Sequence, residues 1–226
     1  MKLKKRLACI HAHYSNIEYI ESALSSFDLE ITHFVDPALM ERISSDANFS
    51  QIDAQKKVRE QIEWIAESKV DAILITCTNY VINLQEDQLS IEVPIIKIDE
   101  PFFEYIINRQ EPHTLLFTNP ATVEGTLQRL KKHANTHKKT LDIEVLVINN
   151  TFDLIMQGLK EEYNQEVYKF IQQIIQDEKR VISVAQLSMV NSAEQVEEMT
   201  NKTIMNPLST LVPTIVSQLK LKKKDF

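Results

Sequence analysis

Seven short runs of β-branched and aliphatic residues alternate along the chain with longer segments of helical periodicity. This alternation is the strongest constraint on the fold, because it is typical of βαβ units that build parallel sheets. Apolar residues recur at helical spacing across 58–65 and 167–175, and we interpret both stripes as core. The sequence therefore predicts an α/β protein with parallel sheets flanked by helices. The predicted strands are residues 7–10, 29–35, 70–76, 94–98, 114–118, 143–148 and 181–187.

A break between two strand blocks predicts two domains. The segment Ile98-Asp99-Glu100-Pro101 ends one block before the next begins, so we place a crossover there. After Pro207, apolar residues are again spaced for a helix, which we expect to return to the first block. The predicted domains are residues 1–100 with 207–226, and residues 101–206.

Composition and charge narrow the class of protein. The 226 residues are 43% hydrophobic and 25% charged, which is typical of an ordinary soluble globular chain. The net charge of -7 disfavours nucleic acid as the main partner. The basic residues at the start precede too short an apolar stretch for a signal peptide, and no run is long enough to span a membrane. We therefore expect a cytoplasmic protein without a membrane partner.

Scarcity of glycine and cysteine excludes several enzyme classes. Gly125 and Gly158 are the only glycines, so the sequence contains neither the glycine-rich turn of a dinucleotide-binding fold nor a glycine-rich phosphate-binding loop. Cys9 and Cys77 are too few for a paired-cysteine zinc site. The composition predicts no phosphate-rich cofactor.

Polar residues directly follow several predicted strands. Ligands of open parallel sheets bind beyond the carboxyl ends of the strands, so these positions are the candidate site. Hydroxyls and amides suit a small carboxylate or carbonyl compound better than a phosphate. The residues are His11 and His13, then Cys77, Thr78 and Asn79, then Thr118, Asn119 and Thr122, and finally Gln186, Ser188 and Met189.

Cys77 is the strongest candidate for chemistry. It follows a continuous apolar strand and precedes Thr78 and Asn79, which are good helix-capping residues. A thiolate would be stabilised at such a helix start, which makes Cys77 a candidate acid, base or nucleophile. The alternative is a buried structural cysteine, which is our interpretation of Cys9 within its strand.

Several stretches resemble the aspartate/glutamate/hydantoin racemase superfamily in its uncharacterised branches. Residues 75–79 (ITCTN) look like the first catalytic motif, and residues 34–36, 93–101, 115–122 and 185–189 follow in the expected order. The resemblance implies two similar Rossmann-like domains with the active site in the cleft between them, and often a homodimer. It also implies cofactor-independent proton transfer between two thiols and a small carboxylate-containing substrate.

The second thiol of that motif is missing. Gln186-Leu187-Ser188 stands where it is expected, and neither Gln186 nor Ser188 is an ordinary base. Three chemistries remain: one-cysteine isomerisation, covalent attack as in a maleate-isomerase-like enzyme, and protonation after decarboxylation. Thr78, Asn79, Thr118 and Thr122 would bind carboxylate oxygens, and Ser188 or Gln186 would hydrogen-bond the developing charge.

Two alternatives for these residues stay open. They can serve only as helix caps, or line a site that binds a small acid without turnover, as a sensor or carrier would.

A metal-dependent hydrolase is a further alternative, based on His11-Ala12-His13 at the end of the first strand. His133 and His137 have i, i+4 spacing, but no acidic residue stands close by in sequence, unlike the HExxH zinc helix. The chain is also short for a regular (β/α)8 barrel. We therefore predict no metal, and treat His11 as a substrate contact.

Overall fold

The computed structural model describes residues 4–109, 111–176 and 179–224. Every predicted strand is present, with small changes at the ends, and helices connect the strands. The strands are β1 (Lys5–His11), β2 (Leu29–Val35), β3 (Ala72–Ile75), β4 (Ile95–Lys97), β5 (His113–Phe117), β6 (Ile143–Val147) and β7 (Val181–Val184). The helices are α1 (Asn16–Leu24), α2 (Ala38–Ser45), α3 (Gln51–Ala66), α4 (Thr78–Asn83), α5 (Glu100–Arg109), α6 (Val123–Thr136), α7 (Thr151–Met156), α8 (Lys160–Ile174), α9 (Val190–Thr200) and α10 (Pro207–Leu219).

The chain divides into two compact units, and the first contains β1 to β4. It runs to Glu100 and includes the segment from Val212 onward. Its sheet has the order β2-β1-β3-β4, and all pairs are parallel. β3 is buried along its whole length, and the apolar stripe of α3 packs in the same core cluster. A capping box between Ser50 and Asp53 defines the start of α3.

The second unit, Pro101–Leu211, contains the other three strands. They form a parallel sheet of order β6-β5-β7 with the fully buried β5 in the middle. The stripe of α8, which includes Tyr163, Val167 and Ile171, is buried in its core. The predicted α/β class with parallel sheets is therefore confirmed, and both stripes predicted as core are core.

The last strand ends earlier than predicted. β7 stops at Val184, and Leu187–Met189 form a short 3₁₀ helix instead of continuing the strand to residue 187. The backbone N–H of Met189 donates to the Gln186 carbonyl at 3.1 Å, which turns the chain. Gln186 is thus placed in the loop that leaves the carboxyl end of the sheet. Among the described residues, no helix combines the length and apolarity that crossing a membrane requires.

Candidate functional site

Cys77 directly follows β3 at the carboxyl edge of the first sheet. It is the N-cap residue of α4, and its side chain is half-buried. The Sγ atom of Cys77 lies 4.0 Å from Met40 Sδ. Asn79 Nδ2 also lies near Met40 Sδ, at 3.0 Å. Thr78 Oγ1 has no hydrogen-bond partner in the part of the chain that the structure describes. The predicted residues Cys77, Thr78 and Asn79 therefore lie together at the start of α4, with the Thr78 hydroxyl next to the thiol in sequence.

The thiol of Cys77 is not a resting thiolate. Burial raises its pKa above the ordinary value, and the charge of Asp99 raises it further. The backbone N–H groups of Tyr80 and Asn79 act in the opposite direction but do not offset the burial. The expectation that the helix start would stabilise a thiolate is therefore wrong, because the loss of hydration outweighs the few donors of this short helix.

A hydrogen-bonded group that the sequence did not indicate lies near Cys77. The hydroxyl of Tyr80 donates to Gln61 Oε1 at 3.0 Å, and Gln61 Nε2 donates to Asp36 Oδ2 at 2.9 Å. Burial and the Asp36 charge raise the pKa of Tyr80, so the phenol stays protonated. This group links the chain after β2 to α3 and α4. It braces the helix that starts at Cys77.

His11 lies in the interior of the first sheet rather than at its surface. Its Nδ1 is 2.8 Å from Thr76 Oγ1, and its Nε2 is 2.9 Å from His33 Nδ1. His33 Nε2 is in turn 3.0 Å from Glu21 Oε1. Since the carboxylate can only accept, neutral rings require His33 Nε2 to donate to Glu21 and His11 Nε2 to donate to His33. His11 Nδ1 then accepts from the Thr76 hydroxyl, for which the Ile10 carbonyl at 3.2 Å is a competing acceptor. A substrate contact by His11 would require one of these hydrogen bonds to break.

We expect His11 to make the protein sensitive to mild acid. Burial, and then the neighbouring His33, lowers its pKa from 6.5 to about 4. Between these two values the unfolded chain binds a proton that the folded chain excludes, so stability falls as the pH falls through this window. The full loss is about 3 kcal/mol by linkage. The free energy of unfolding from urea titrations at pH 4 to 8 measures it.

His11→Gln is the control for this prediction, because it removes the titrating ring. Carboxylates contribute to acid destabilisation in both proteins, so the informative quantity is the difference between the two pH profiles. The profile of the variant should be flatter between pH 4 and 6.5. Parallel profiles would show that His11 is not the group responsible.

Gln186 closes the carboxyl end of the second sheet. Its Oε1 accepts three hydrogen bonds: from the backbone N–H of Thr118 at 2.6 Å, from the Thr118 hydroxyl at 3.0 Å, and from the backbone N–H of Asn119 at 3.0 Å. Two of these donors are main-chain N–H groups, which fixes the oxygen and nitrogen of the amide. Its Nε2 has no hydrogen-bond partner among the described residues. The side chain thus presents a donor whose orientation is held by three bonds.

Ser188 joins the same group through a residue that the sequence interpretation missed. The Tyr163 hydroxyl is 2.7 Å from Ser188 Oγ and 3.0 Å from Thr118 Oγ1, and its side chain is fully buried. Tyr163 sits on the apolar stripe of α8, so its pattern indicated only core. The hydroxyl group bonded to Ser188 in this cluster is thus a phenol.

Replacing Tyr163 by Phe should destabilise the protein by about 1–3 kcal/mol, since the hydroxyls of Thr118 and Ser188 lose a buried partner. Urea unfolding measures this effect. Tyr168→Phe is the matched control on the same helix, because its hydroxyl accepts a hydrogen bond from the partly exposed Gln172 at 2.6 Å and, among the described residues, makes no other. Equal effects from the two substitutions would contradict the buried bridge.

The remaining predicted residues of the second unit are used partly as caps. Asn119 Oδ1 accepts from the Ala121 N–H at 3.0 Å, and the Thr122 hydroxyl donates to the Asn119 carbonyl at 2.9 Å. Thr118 and Asn119 nevertheless also line a recess of about 290 Å³ at this edge of the sheet. Its other lining residues, which sequence reasoning did not select, are Pro120, Val147, Asn149, Asn150, Phe152 and Asp153.

His11 and His13 do not form a metal pair. His13 Nδ1 is 2.8 Å from Ser15 Oγ on the exposed surface, whereas His11 is bonded inside the sheet. Among the described residues, the candidate metal cluster that contains His11 includes Cys9 and His33 but not His13. The structure therefore gives no support to the His11–His13 pair on which the hydrolase alternative is based.

No family model matches the chain, and no curated protein matches it. Solved structures do match. Aspartate racemase from Picrophilus torridus superposes with a TM-score of 0.69 at 12% identity, covering 97% of this chain and 96% of that one. The chain has the fold of the aspartate, glutamate and allantoin racemases.

Two further structures support this assignment. Allantoin racemase from Klebsiella pneumoniae gives a TM-score of 0.62 at 18% identity, covering 98% of this chain and 95% of its own. Glutamate racemase from Francisella tularensis, solved with D-glutamate, gives 0.65 at 13% identity, covering 96% and 81%. The resemblance predicted from the motifs is thus confirmed at the level of the fold.

Proposed function

We propose that this chain is a cofactor-independent isomerase of the racemase type. It acts at the carbon next to a carboxylate or carbonyl of a small acid, of the amino acid or hydantoin type. The observation that carries the proposal is the position of Cys77, a half-buried residue directly after the buried strand β3 of a racemase fold. Structures with this fold include racemases of aspartate, glutamate and allantoin, whose substrates are small carbonyl or carboxylate compounds.

In this proposal Cys77 exchanges one proton with the substrate. The sulfur, once deprotonated, accepts the proton from the α-carbon, and the pair of electrons left behind spreads onto the adjacent carbonyl oxygen. Water or another residue on the opposite face then donates a proton to the same carbon, which inverts the centre, and the proton held by Cys77 passes to solvent. Because burial raises the pKa of Cys77, we expect the base-dependent arm of the rate profile at a pH above that of an ordinary thiol.

The other candidate residues bind the substrate. The hydroxyl of Thr78 and the amide of Asn79 take carboxylate oxygens, and Gln186 Nε2 donates to the oxygen on which charge develops. Thr118, Asn119 and Thr122 shape the binding surface of the second unit, and Ser188 is a further donor. His11 is a positioning residue in this scheme, because it holds the Thr76 side chain one position before Cys77.

Binding without turnover is the second candidate function. Two observations favour it: the thiol is protonated at rest, and the sequence has Gln186 and Ser188 where a second thiol is expected. A decarboxylase or a maleate-isomerase-like enzyme would use the same residues on a different substrate.

Incubation in deuterated water with amino acids, hydantoins and dicarboxylic acids, followed by NMR and chiral chromatography, separates these functions. A racemase exchanges the α-proton and inverts the centre, a decarboxylase loses a carboxyl group, and an alkene isomerase changes the double-bond geometry. Compounds that shift the melting temperature and stay unchanged would indicate a binding protein. If no compound in the panel shifts the melting temperature and none reacts, the small-acid proposal is contradicted.

A further inference from the structure

Two histidines and a carboxylate that the proposed function does not use meet on the surface of the second unit. Glu104 lies on α5, and His133 and His137 lie one turn apart on α6. His133 Nε2 is 3.1 Å from Glu104 Oε2, and the two histidine rings have centroids 4.5 Å apart. One potential ligand atom from each of the three residues falls within 4.8 Å of the other two. The acidic partner that the sequence around the histidines lacks is thus supplied from 29 residues away.

We propose that Glu104, His133 and His137 form a binding site for a transition-metal ion, with Zn²⁺ as the best fit. Two imidazoles and one carboxylate suit Zn²⁺, Cu²⁺ or Ni²⁺, whereas Mg²⁺ and Ca²⁺ prefer oxygen ligands. Bonds of zinc to nitrogen and oxygen place the ligand atoms of a tetrahedral site about 3.4 Å apart. The Glu104–His133 pair already has nearly that separation.

Neighbouring groups orient two of the three ligands. His137 Nδ1 lies 2.9 Å from the His133 carbonyl and must donate to it, so the lone pair of the neutral ring is on Nε2. Asn108 Nδ2 donates to Glu104 Oε1 at 2.7 Å and leaves Oε2 toward His133. Such outer contacts set the tautomer and orientation of metal ligands.

The helices beneath these residues share a buried core, and the ligands are accessible. Phe103 of α5 and Leu130 and Ala134 of α6 are buried in one core cluster, so the two helices are packed together. Glu104 and His137 are exposed and His133 is partly exposed, which gives an ion direct entry. The ion would displace the proton shared by His133 and Glu104, link α5 to α6 and keep water at its open position.

The other candidate cluster, Cys9, His11 and His33, is less suitable. His11 already uses both ring nitrogens, and Cys9 is completely buried. Burial also raises the pKa of the Cys9 thiol far above the ordinary value. To bind there, a metal would have to replace the hydrogen bonds that connect Thr76, His11, His33 and Glu21. It would also have to displace the proton of the Cys9 thiol.

Calorimetric titration of the untagged protein with ZnCl₂ tests the proposal, with Co²⁺ absorption as a spectroscopic readout. We expect one Zn²⁺ per chain, a rise in melting temperature, and no comparable response to Mg²⁺ or Ca²⁺. His133→Ala, His137→Ala and Glu104→Gln should each weaken binding at least tenfold, as a ligand matters no less than its outer contacts. Circular dichroism without metal verifies that each variant is folded.

Two variants outside the cluster serve as controls. His13→Ala removes another exposed histidine, and His33→Asn disrupts the buried cluster; both should retain the affinity of the wild type. Unchanged binding in all three cluster variants, or loss of binding with His33→Asn or His13→Ala instead, would overturn the proposal. Absence of any Zn²⁺ binding by the wild-type protein would overturn it as well.

Discussion

Replacing Cys77 by Ala is expected to lower the rate of α-proton exchange by about 10²- to 10⁴-fold, the contribution typical of a positioned acid or base. The substitution removes the sulfur but leaves Thr78, Asn79 and the neighbouring strand in place. Substrate binding should therefore persist, so the loss should appear in kcat rather than in KM. Proton NMR of the exchanging carbon and a thermal-shift titration measure the two quantities separately.

Cys77→Ser is the matched variant, since it preserves size and a hydrogen-bonding group. Its hydroxyl is far too weak an acid to act as the base without a partner, so exchange should fall nearly as far as in Cys77→Ala. Cys9→Ala controls for the loss of a thiol from the same sheet, and its kcat should stay near that of the wild type. A Cys77→Ser enzyme with normal exchange would rule out the thiol as the acid or base.

Gln186→Glu is expected to lower kcat by about 10²- to 10³-fold, the cost of losing one preorganised donor to a developing oxyanion. The substitution keeps an oxygen for the three hydrogen bonds from Thr118 and Asn119. It replaces the Nε2 donor by a second oxygen that repels negative charge. Steady-state kinetics with any substrate found in the panel measures the effect.

Gln186→Met and Ser188→Ala complete the comparison at this position. Methionine fills similar space without the amide, so it should lose both the donor and the link to β5. Ser188→Ala should have a smaller effect if Gln186 is the principal donor. Normal turnover in Gln186→Glu together with a large loss in Ser188→Ala would transfer that role to Ser188.

Local patterns predicted the strands and the position of Cys77 because both depend on neighbours in sequence. The apolar run before Cys77 and the caps after it are short-range signals, and the structure places the thiol at the strand end accordingly. The raised pKa of Cys77 was not predictable, because burial depends on residues that tertiary folding brings around it. The helix start alone indicated the opposite shift.

Contacts between distant side chains account for what the sequence did not indicate. The parallel register of β1 and β2 places Cys9 opposite His33. His11 is two residues after Cys9 and therefore on the same face of the sheet, where its ring contacts His33. Gln186 binds Thr118 across 68 residues, and Glu104 reaches His133 across 29. No local periodicity encodes these pairs. The role of Tyr163 was not predictable for a related reason. A tyrosine on an apolar helix face indicates only core, and the partners of its hydroxyl, Thr118 and Ser188, are distant in sequence.

The central claim is that Cys77 moves a proton at a carbon next to a carboxylate or carbonyl. The most direct measurement is deuterium incorporation at that carbon in deuterated water, with wild-type protein and Cys77→Ala tested together on the same panel of small acids. We predict incorporation by the wild type that rises with pH and is lost in Cys77→Ala. Incorporation at equal rates in the two proteins, or none with any compound that binds, would contradict it.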